Sequence, residues 1–137
     1  MADLTITAAS VAPGTGAKID RRYNAGATIT AGQLVYLDTT TETLLLADAN
    51  ASALTAVLHG VALHGASSGQ PLAVLTDGPI TIGATVTLGH VYALSATAGG
   101  IAAVADLATG HYTSLLGVAT SASVIDVAIH VSGAVRA

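Results

Sequence analysis

Apolar and polar side chains alternate along the chain with a period of two. In VIDVAIHVSG, alternate residues from Ile125 to Val131 are Ile or Val and fall on one face of an extended chain. Other runs, such as LVYL, TLLLA and LLGVA, are short, apolar and bounded by Gly, Thr, Asn or Asp, as buried strands are. The pattern predicts an all-β fold, a compact sandwich or small barrel of short strands.

One phrase occurs twice in the chain. GATITAG at 26–32 returns as GATVTLG at 83–89, which is 57 positions later and identical at five of seven positions. At the same spacing, Gly-Val-Ala at 60–62 returns at 117–119. With a two-residue shortening, Val74 matches Ile129. The matches predict a duplicated β-unit, because two copies are too few for a solenoid.

The repeat predicts the domain organisation. Residues 24–137 form a single β domain made of two pseudo-symmetric repeats, about 24–78 and 79–137. Residues 1–23 lie outside the repeat and contain the Pro/Gly stretch APGTGAK. This composition predicts that residues 1–23 form an extended N-terminal arm, which becomes ordered only against a partner.

The composition indicates a surface that contacts other protein. Apolar residues make up 52% of the 137 residues, charged residues only 9%, and Phe and Trp are absent. A surface with so little charge repels itself weakly and is typical of a protein that packs against others. The chain has no cysteine, which excludes disulfides, thiolate metal ligands and cysteine nucleophiles.

Two long stretches without charge raise the question of a membrane. They run from Asp48 to Asp77 and from Asp77 to Asp106, long enough to cross a bilayer. Gly, Pro, His and Thr interrupt both, so neither predicts a membrane-spanning helix. The N-terminus MADLTITAAS is acidic and lacks a basic region, which argues against a signal peptide.

The residues that could carry chemistry do not form a recognisable set. No histidine meets another histidine in the repeat, so the pattern predicts no duplicated metal site, and an asymmetric or inter-subunit His site stays open. Asp48 and Asp106 each follow an apolar run, where Asp commonly closes a turn, and Asp77 lies in the turn signal LTDGP. No nucleophile motif is present. We therefore predict no catalytic, cofactor-binding or metal-binding residues.

Positive charge is confined to the ends of the chain. Lys18, Arg21 and Arg22 are three of only four basic residues, and the fourth is Arg136. In a chain of net charge −4 they cannot form the basic face that nucleic-acid binding needs. We predict that Lys18, Arg21 and Arg22 bind acidic groups of a protein partner.

Several segments together resemble bacteriophage capsid decoration proteins, also called cement proteins. They are MADLTITAAS, GATITAGQLVYLD, LLLADA, HGVAL, SGQPLAVLTDG, IGATVTLGHVYALSATAGGIA and LLGVA, and they cover nearly the whole chain. The resemblance implies a small β-rich homotrimer, made in the host cytoplasm, that binds the outer capsid surface of the virion. There it would bridge neighbouring subunits of the major capsid protein, without catalytic residues or cofactors.

Three other functions remain open. A tail- or surface-associated carbohydrate-binding or adhesion module is the main alternative, although such modules favour exposed aromatic platforms and the chain has only four Tyr. A subunit of a non-viral shell would need the same surface properties. A small hydrolase would need a nucleophile, a base and an orienting group, and the sequence names no such set.

Overall fold

The computed structural model describes residues 3–52 and 54–135, and over these the predicted all-β fold is confirmed. Eleven strands join in one sheet, and two short 3-10 turns, Ala8–Ser10 and Val104–Asp106, are the helical elements of the described ranges. The strands are β1 (Ala12–Pro13), β2 (Lys18–Asp20), β3 (Asn24–Ala25), β4 (Leu34–Asp38), β5 (Thr43–Leu46), β6 (Gly60–Ala62), β7 (Val74–Thr81), β8 (Val91–Leu94), β9 (Ile101–Ala103), β10 (Tyr112–Ala119) and β11 (Val124–Val135).

The strands coincide with the apolar runs because each run buries at least one face. LVYL lies in β4, TLLL forms β5 and LLGVA ends β10. In β11 the predicted alternation holds near its start, where Ile125 and Val127 are buried and Asp126 and Ala128 are exposed. The period of two thus locates these strands along the chain.

Strand β7 is bordered along both edges. Asp77 pairs with Lys18 of β2 on one edge and with Ala128 of β11 on the other. Further along, β1 continues the edge that begins with β2, and near the start of β7 the opposite edge holds β6. Every strand of the N-terminal segment therefore attaches to β7.

The LTDGP stretch does not form the predicted turn; it lies inside β7. Gly78 has a positive φ of 100°, and a methyl group there would lie 2.8 Å from the Ala17 Cα. Pro79 has no N–H, but its carbonyl oxygen accepts a hydrogen bond from the Gly14 N–H at 2.8 Å. The prediction of a turn at Asp77 is wrong because strand pairing with a distant segment overrides the local signal.

The N-terminal segment is ordered against its own chain. Asp3 forms a β-bridge with Ala102, and the Leu4 N–H donates to the Ile101 carbonyl oxygen at 2.8 Å. The buried Ser95 hydroxyl donates to the Asp3 carboxylate at 2.6 Å. This differs from the predicted arm, which would be ordered only against a partner. The apolar side chains of the segment, Leu4 and Ile6 among them, explain the difference because they pack on the core.

Strand registers recur at the spacing of the sequence repeat. Val35 of β4 pairs with Leu46 of β5, and 57 positions later Tyr92 of β8 pairs with Ala103 of β9. Likewise, β4 pairs with β6 through Val35 and Gly60, and β8 pairs with β10 through Tyr92 and Gly117. The duplication stays a prediction, which these registers support.

The last strand of each repeat aligns differently from the sequence-based match. Val74 of β7 pairs with Ala62, and Ile125 of β11 pairs with Ala119, which follows Ala62 by 57 positions. Ile125 therefore takes the place of Val74, and the predicted match with Ile129 is wrong. Ile and Val alternate regularly from 125 to 131, so the sequence pattern cannot distinguish these registers.

The buried side chains form two clusters. The larger one contains residues of both predicted repeats, including Leu34, Val61, Leu94, Leu116 and Ile125. The smaller one lies within the first repeat and includes Ile29, Val35, Leu44, Leu72 and Val74. The two predicted repeats thus share the larger cluster.

Candidate partner-binding site

The three predicted partner-binding cations lie on and directly after β2. Ile19 of this strand pairs with Leu75, and Asp20 pairs with Val74. The Thr76 hydroxyl donates to the Lys18 carbonyl oxygen at 3.4 Å. Strand pairing to β7 therefore fixes the backbone of Lys18 and of Asp20, the residue directly before Arg21 and Arg22.

Asp20 organises the site. Its carboxylate accepts hydrogen bonds from Nε and Nη2 of Arg22, both at 3.0 Å, and from the Arg22 backbone N–H at 2.9 Å. The His59 Nε2–H donates to the same carboxylate at 3.0 Å. Three groups from two parts of the chain thus converge on one carboxylate. The two-pronged contact with the guanidinium is by itself a strong interaction.

These hydrogen bonds change the charge behaviour of Asp20. The side-chain hydrogen bonds from Arg22 hold the pKa of the carboxyl well below its ordinary value, and burial acts in the opposite direction. The Arg22 backbone N–H and the His59 ring lower the pKa further. In return, Asp20 raises the pKa of the Arg22 guanidinium. The carboxylate is therefore ionised throughout the neutral range.

We expect Asp20→Asn to remove part of the acid sensitivity of the fold. As the pH falls below the ordinary Asp pKa, about 4, the unfolded chain takes up a proton that the folded chain does not, so stability falls. A single proton limits this contribution to about 1.4 kcal/mol per pH unit. Chemical denaturation between pH 2.5 and 6 measures the slope for wild type and variant.

The control for this prediction is Asp106→Asn, which neutralises an exposed carboxylate at the end of a 3-10 turn. It should leave the acid slope close to that of the wild type. A slope in Asp20→Asn as steep as in wild type would show that Asp20 is not differentially protonated on unfolding.

The Tyr23 ring also contacts Arg22. Its guanidinium carbon lies 5.2 Å from the centre of the Tyr23 ring. The Tyr23 ring in turn meets the His59 ring edge to face, with centroids 6.0 Å apart. Arg22 is thus held by a carboxylate and by an aromatic face, which together keep it close to the body of the protein.

The structure separates the three cations into two roles. Arg22 is neutralised by Asp20, whereas Lys18 and Arg21 are exposed and form no ion pair with any residue in the described ranges. Arg21 and Arg22 line an open depression of about 530 Å³, together with Ile19, His59 and Thr76, and Lys18 lies outside it. Of the three cations, Lys18 and Arg21 are therefore the ones available to a partner. Arg22 instead bonds to Asp20 directly after β2.

Sequence reasoning missed Asp20 and His59. The spacing of Asp20 and Arg22 could have indicated their contact, since residues two apart often bond across a turn. No local signal could have indicated His59, which is 39 positions from Asp20. Only the fold brings Asp20 and His59 together, because β2 and β6 pair with opposite edges of the same part of β7.

Other side chains singled out in the sequence have local partners. The Asp48 carboxylate accepts a hydrogen bond from the Asn50 N–H at 3.1 Å, as a turn-forming Asp does. His64 donates to the Gly65 carbonyl oxygen through Nδ1 and accepts from the Ala73 N–H through Nε2. Across residues 3–52 and 54–135, no group of three or more His, Cys, Asp or Glu is placed to hold a metal ion.

Neither the fold nor comparison with known proteins assigns a family. Over the part of the chain that the structure describes, no helix has the length and apolar character needed to span a bilayer. No protein-family profile matches the sequence, and no curated protein is significantly similar to it.

Proposed function

We propose that the protein is a structural capsid decoration protein. In this role, homotrimers bind the outer surface of an icosahedral phage head and stabilise it by bridging subunits of the major capsid protein. The resemblance of the sequence to decoration proteins suggests the role, and the low charge of the chain supports it. Such binding needs area and shape, and it needs no reactive groups.

The observation that carries the proposal is a pair of exposed cations, Lys18 on β2 and Arg21 directly after it. Lys18 and Arg21 are exposed on a chain in which only 9% of the residues are charged. Because β2 is paired to β7, the backbone at these cations is already ordered before a partner binds. An acidic surface on the shell would be attracted and oriented by them.

Because many copies of the protein bind around one shell, a modest affinity at each contact is sufficient for stable binding. A trimer that engages several capsid subunits at once binds through linked sites, so its overall affinity greatly exceeds that of one contact. Each apolar patch that becomes buried contributes about 25 cal/mol per Å², less the cost of association. Two cations per subunit then add selectivity for an acidic surface.

We expect the double variant Lys18→Ala/Arg21→Ala to bind undecorated heads at least about tenfold more weakly, since a loss of about 1.4 kcal/mol is a factor of ten. Cosedimentation of the purified protein with heads that lack it measures the occupancy. The wild type should lose occupancy as salt rises, and the variant should be less sensitive to salt.

The matched control is Thr28→Asp/Thr109→Asp, which lowers the net charge by the same two units at exposed positions elsewhere. It should bind heads like the wild type. Unchanged occupancy in the Lys18/Arg21 variant would overturn the assigned role of these cations. No binding of the wild type to any undecorated head would overturn the proposed function itself.

The tyrosines give the carbohydrate-binding alternative no support. Tyr36 and Tyr92 are buried in the core, and Tyr23 and Tyr112 are each partly covered. None presents the exposed ring on which a sugar face would stack. A glycan-array signal from protein that does not bind heads would favour the alternative.

A further inference from the structure

A cavity of about 260 Å³ lies where three parts of the chain meet. Its walls come from residues between 3 and 8 of the N-terminal segment, between 30 and 33 of the first repeat, and at 97–100 in the β8–β9 turn. None of these wall residues belongs to the depression beside Arg21 and Arg22. Sites for small molecules commonly measure about 300 to 1,000 Å³, so this cavity suits a single side chain.

Two consecutive glycines keep the cavity open. A methyl group on Gly99 would lie 3.5 Å from Cδ of Gln33, and one on Gly100 would lie 3.1 Å from Oδ2 of Asp3. The counterparts 57 positions earlier are Glu42 and Thr43, so the first repeat carries side chains where the second leaves space. The polar groups of Gln33 and Asp3 therefore lie beside consecutive residues of one turn.

Asp3 gives the cavity its charge. The fully buried Ser95 donates its hydroxyl to Oδ1 of Asp3 at 2.6 Å, and the β-bridge with Ala102 fixes the Asp3 backbone. The other oxygen, Oδ2, is the one beside Gly100. Within residues 3–52 and 54–135, no Lys, Arg or His forms an ion pair with Asp3, and none lines the cavity. One carboxylate oxygen is thus held by the protein, and the other is available to a cationic ligand.

Gln33 adds a hydrogen-bond donor to the same cavity. Its Oε1 accepts from the Thr30 N–H at 2.9 Å, which orients the amide. Its Nε2 has no acceptor among the residues that the structure describes, so this group is left to donate to a carbonyl oxygen of a ligand. The hydroxyls of Thr30 and Thr97, also on the wall, can donate or accept.

Apolar groups form the rest of the wall. Leu4 and Ile6 pack on the core and line the cavity, as do the methyl groups of Ala31 and Ala98. An aliphatic stem would lie against these groups while a charged end reached Asp3. The wall is therefore suited to a cation that is carried on a hydrocarbon chain.

The state of the Asp3 carboxylate favours an ammonium group over a guanidinium group. A guanidinium gains most from two parallel hydrogen bonds to both oxygens of a carboxylate. Because the Ser95 hydroxyl already binds Oδ1, only one such bond is open. A compact ammonium group needs a single carboxylate oxygen, and its other protons can bond to hydroxyls.

We propose that this cavity binds a lysine side chain presented by a partner protein. The ammonium group would donate to Oδ2 of Asp3, and the methylene stem would lie on the apolar wall. A peptide carbonyl beside the lysine would accept from Nε2 of Gln33, a contact that a free alkylamine cannot make. The site is separate from Lys18 and Arg21 and does not rest on the proposed function.

The probe is capped lysine, N-acetyl-lysine N-methylamide, titrated into the isotope-labelled protein and followed by the amide shifts in nuclear magnetic resonance. We expect a dissociation constant on the order of 1 mM, as for a small ligand with few contacts. The shifts should concentrate at residues 3–8, 30–33 and 97–100. Capped norleucine, which has the stem without the ammonium group, should bind at least about tenfold more weakly, and capped arginine should also bind more weakly than lysine.

Two variants alter the cavity in different ways. Asp3→Asn removes the charge and keeps an oxygen for the Ser95 hydroxyl, and Ala98→Leu fills the space from an exposed position. Each should weaken the binding of capped lysine at least about tenfold, and thermal melts verify that each is folded. The matched control is Asp106→Asn, which removes an exposed carboxylate outside the cavity and should bind like the wild type.

Three results would overturn the inference. One is a set of shifts spread over the exposed carboxylates, a second is equal binding of capped norleucine, and a third is unchanged binding in folded Asp3→Asn or Ala98→Leu. Equal affinity for n-butylamine would overturn the assignment to a lysine within a peptide chain. Capped lysine that binds to a protein unable to cosediment with heads would count against the proposed function and leave this site standing.

Discussion

Gly117→Ala is expected to cost about 3 to 5 kcal/mol of folding free energy, a large part of the 5 to 15 kcal/mol typical of a domain. A methyl group at Gly117 would overlap the Asp126 carbonyl oxygen and lie 2.9 Å from its carbonyl carbon. Both atoms are backbone of β11, the strand paired with β10, so no rotamer change relieves the overlap. The two strands must separate at this point or the bulge in β10 must rearrange.

The counterpart of Gly117 in the first repeat is Gly60, and it is confined in the same way. A methyl group on Gly60 would overlap Cγ1 of Val74 and lie 2.6 Å from the Leu75 carbonyl oxygen. Gly60→Ala should therefore also be destabilising, by less than Gly117→Ala because the backbone oxygen that its methyl group meets lies farther away. The recurrence of Gly-Val-Ala has a steric reason at both sites.

Urea denaturation of the variants measures these costs, with Gly65→Ala as the control. The nearest atom to a methyl group on Gly65 is the Ile29 carbonyl oxygen, at 3.7 Å, so this variant should unfold within about 0.5 kcal/mol of wild type. A loss below about 1 kcal/mol in Gly117→Ala would mean that β10 and β11 are spaced more widely than described.

Ile29→Ala and Ile125→Ala are expected to lower the same single unfolding transition, each by about 2 to 5 kcal/mol. Ile29 belongs to the smaller cluster and Ile125 to the larger one, and both are almost completely buried. Each substitution removes three carbon atoms and leaves a cavity that neighbouring side chains fill only in part. A single transition is expected because strand β7 supplies residues to both clusters, Val74 to the smaller and Ile80 to the larger.

Far-ultraviolet circular dichroism and tyrosine fluorescence, followed together, test whether that transition is single. The probes should coincide in the wild type and in both variants. Two separate transitions, with each variant shifting only one of them, would contradict the prediction that residues 24–137 form a single domain.

The sequence located most strands because their signal is local. In β4, β5 and β11 the apolar residues needed to cover the core lie within a few positions of each other, so the period of two is visible in the chain. The LTDGP stretch misled for the opposite reason. Its Gly and Pro are typical of turns, but in β7 Gly78 lies against the Gly14–Ala17 segment and Pro79 is paired across the strand.

The candidate site could be predicted only in part. Lys18, Arg21 and Arg22 were prominent because basic residues are so rare in this chain. Their different roles were not predictable from the sequence. Asp20, which neutralises Arg22, lies in a strand, and its other partner, His59, comes from the segment just before β6. Likewise, the order of the N-terminal segment depends on pairing with β7 and β9, which no local pattern encodes.

The attachment of the N-terminal segment sets a limit on when the protein can finish folding during translation. Asp3 bonds to Ser95, which leaves the ribosome 92 residues later. At about 5 to 20 residues per second, the first-made residues wait on the order of 5 to 18 s for these contacts. Throughout that time the Leu4 N–H lacks its native acceptor, the Ile101 carbonyl oxygen. The end of the chain that is synthesised first can therefore adopt its native position only after most of the protein exists.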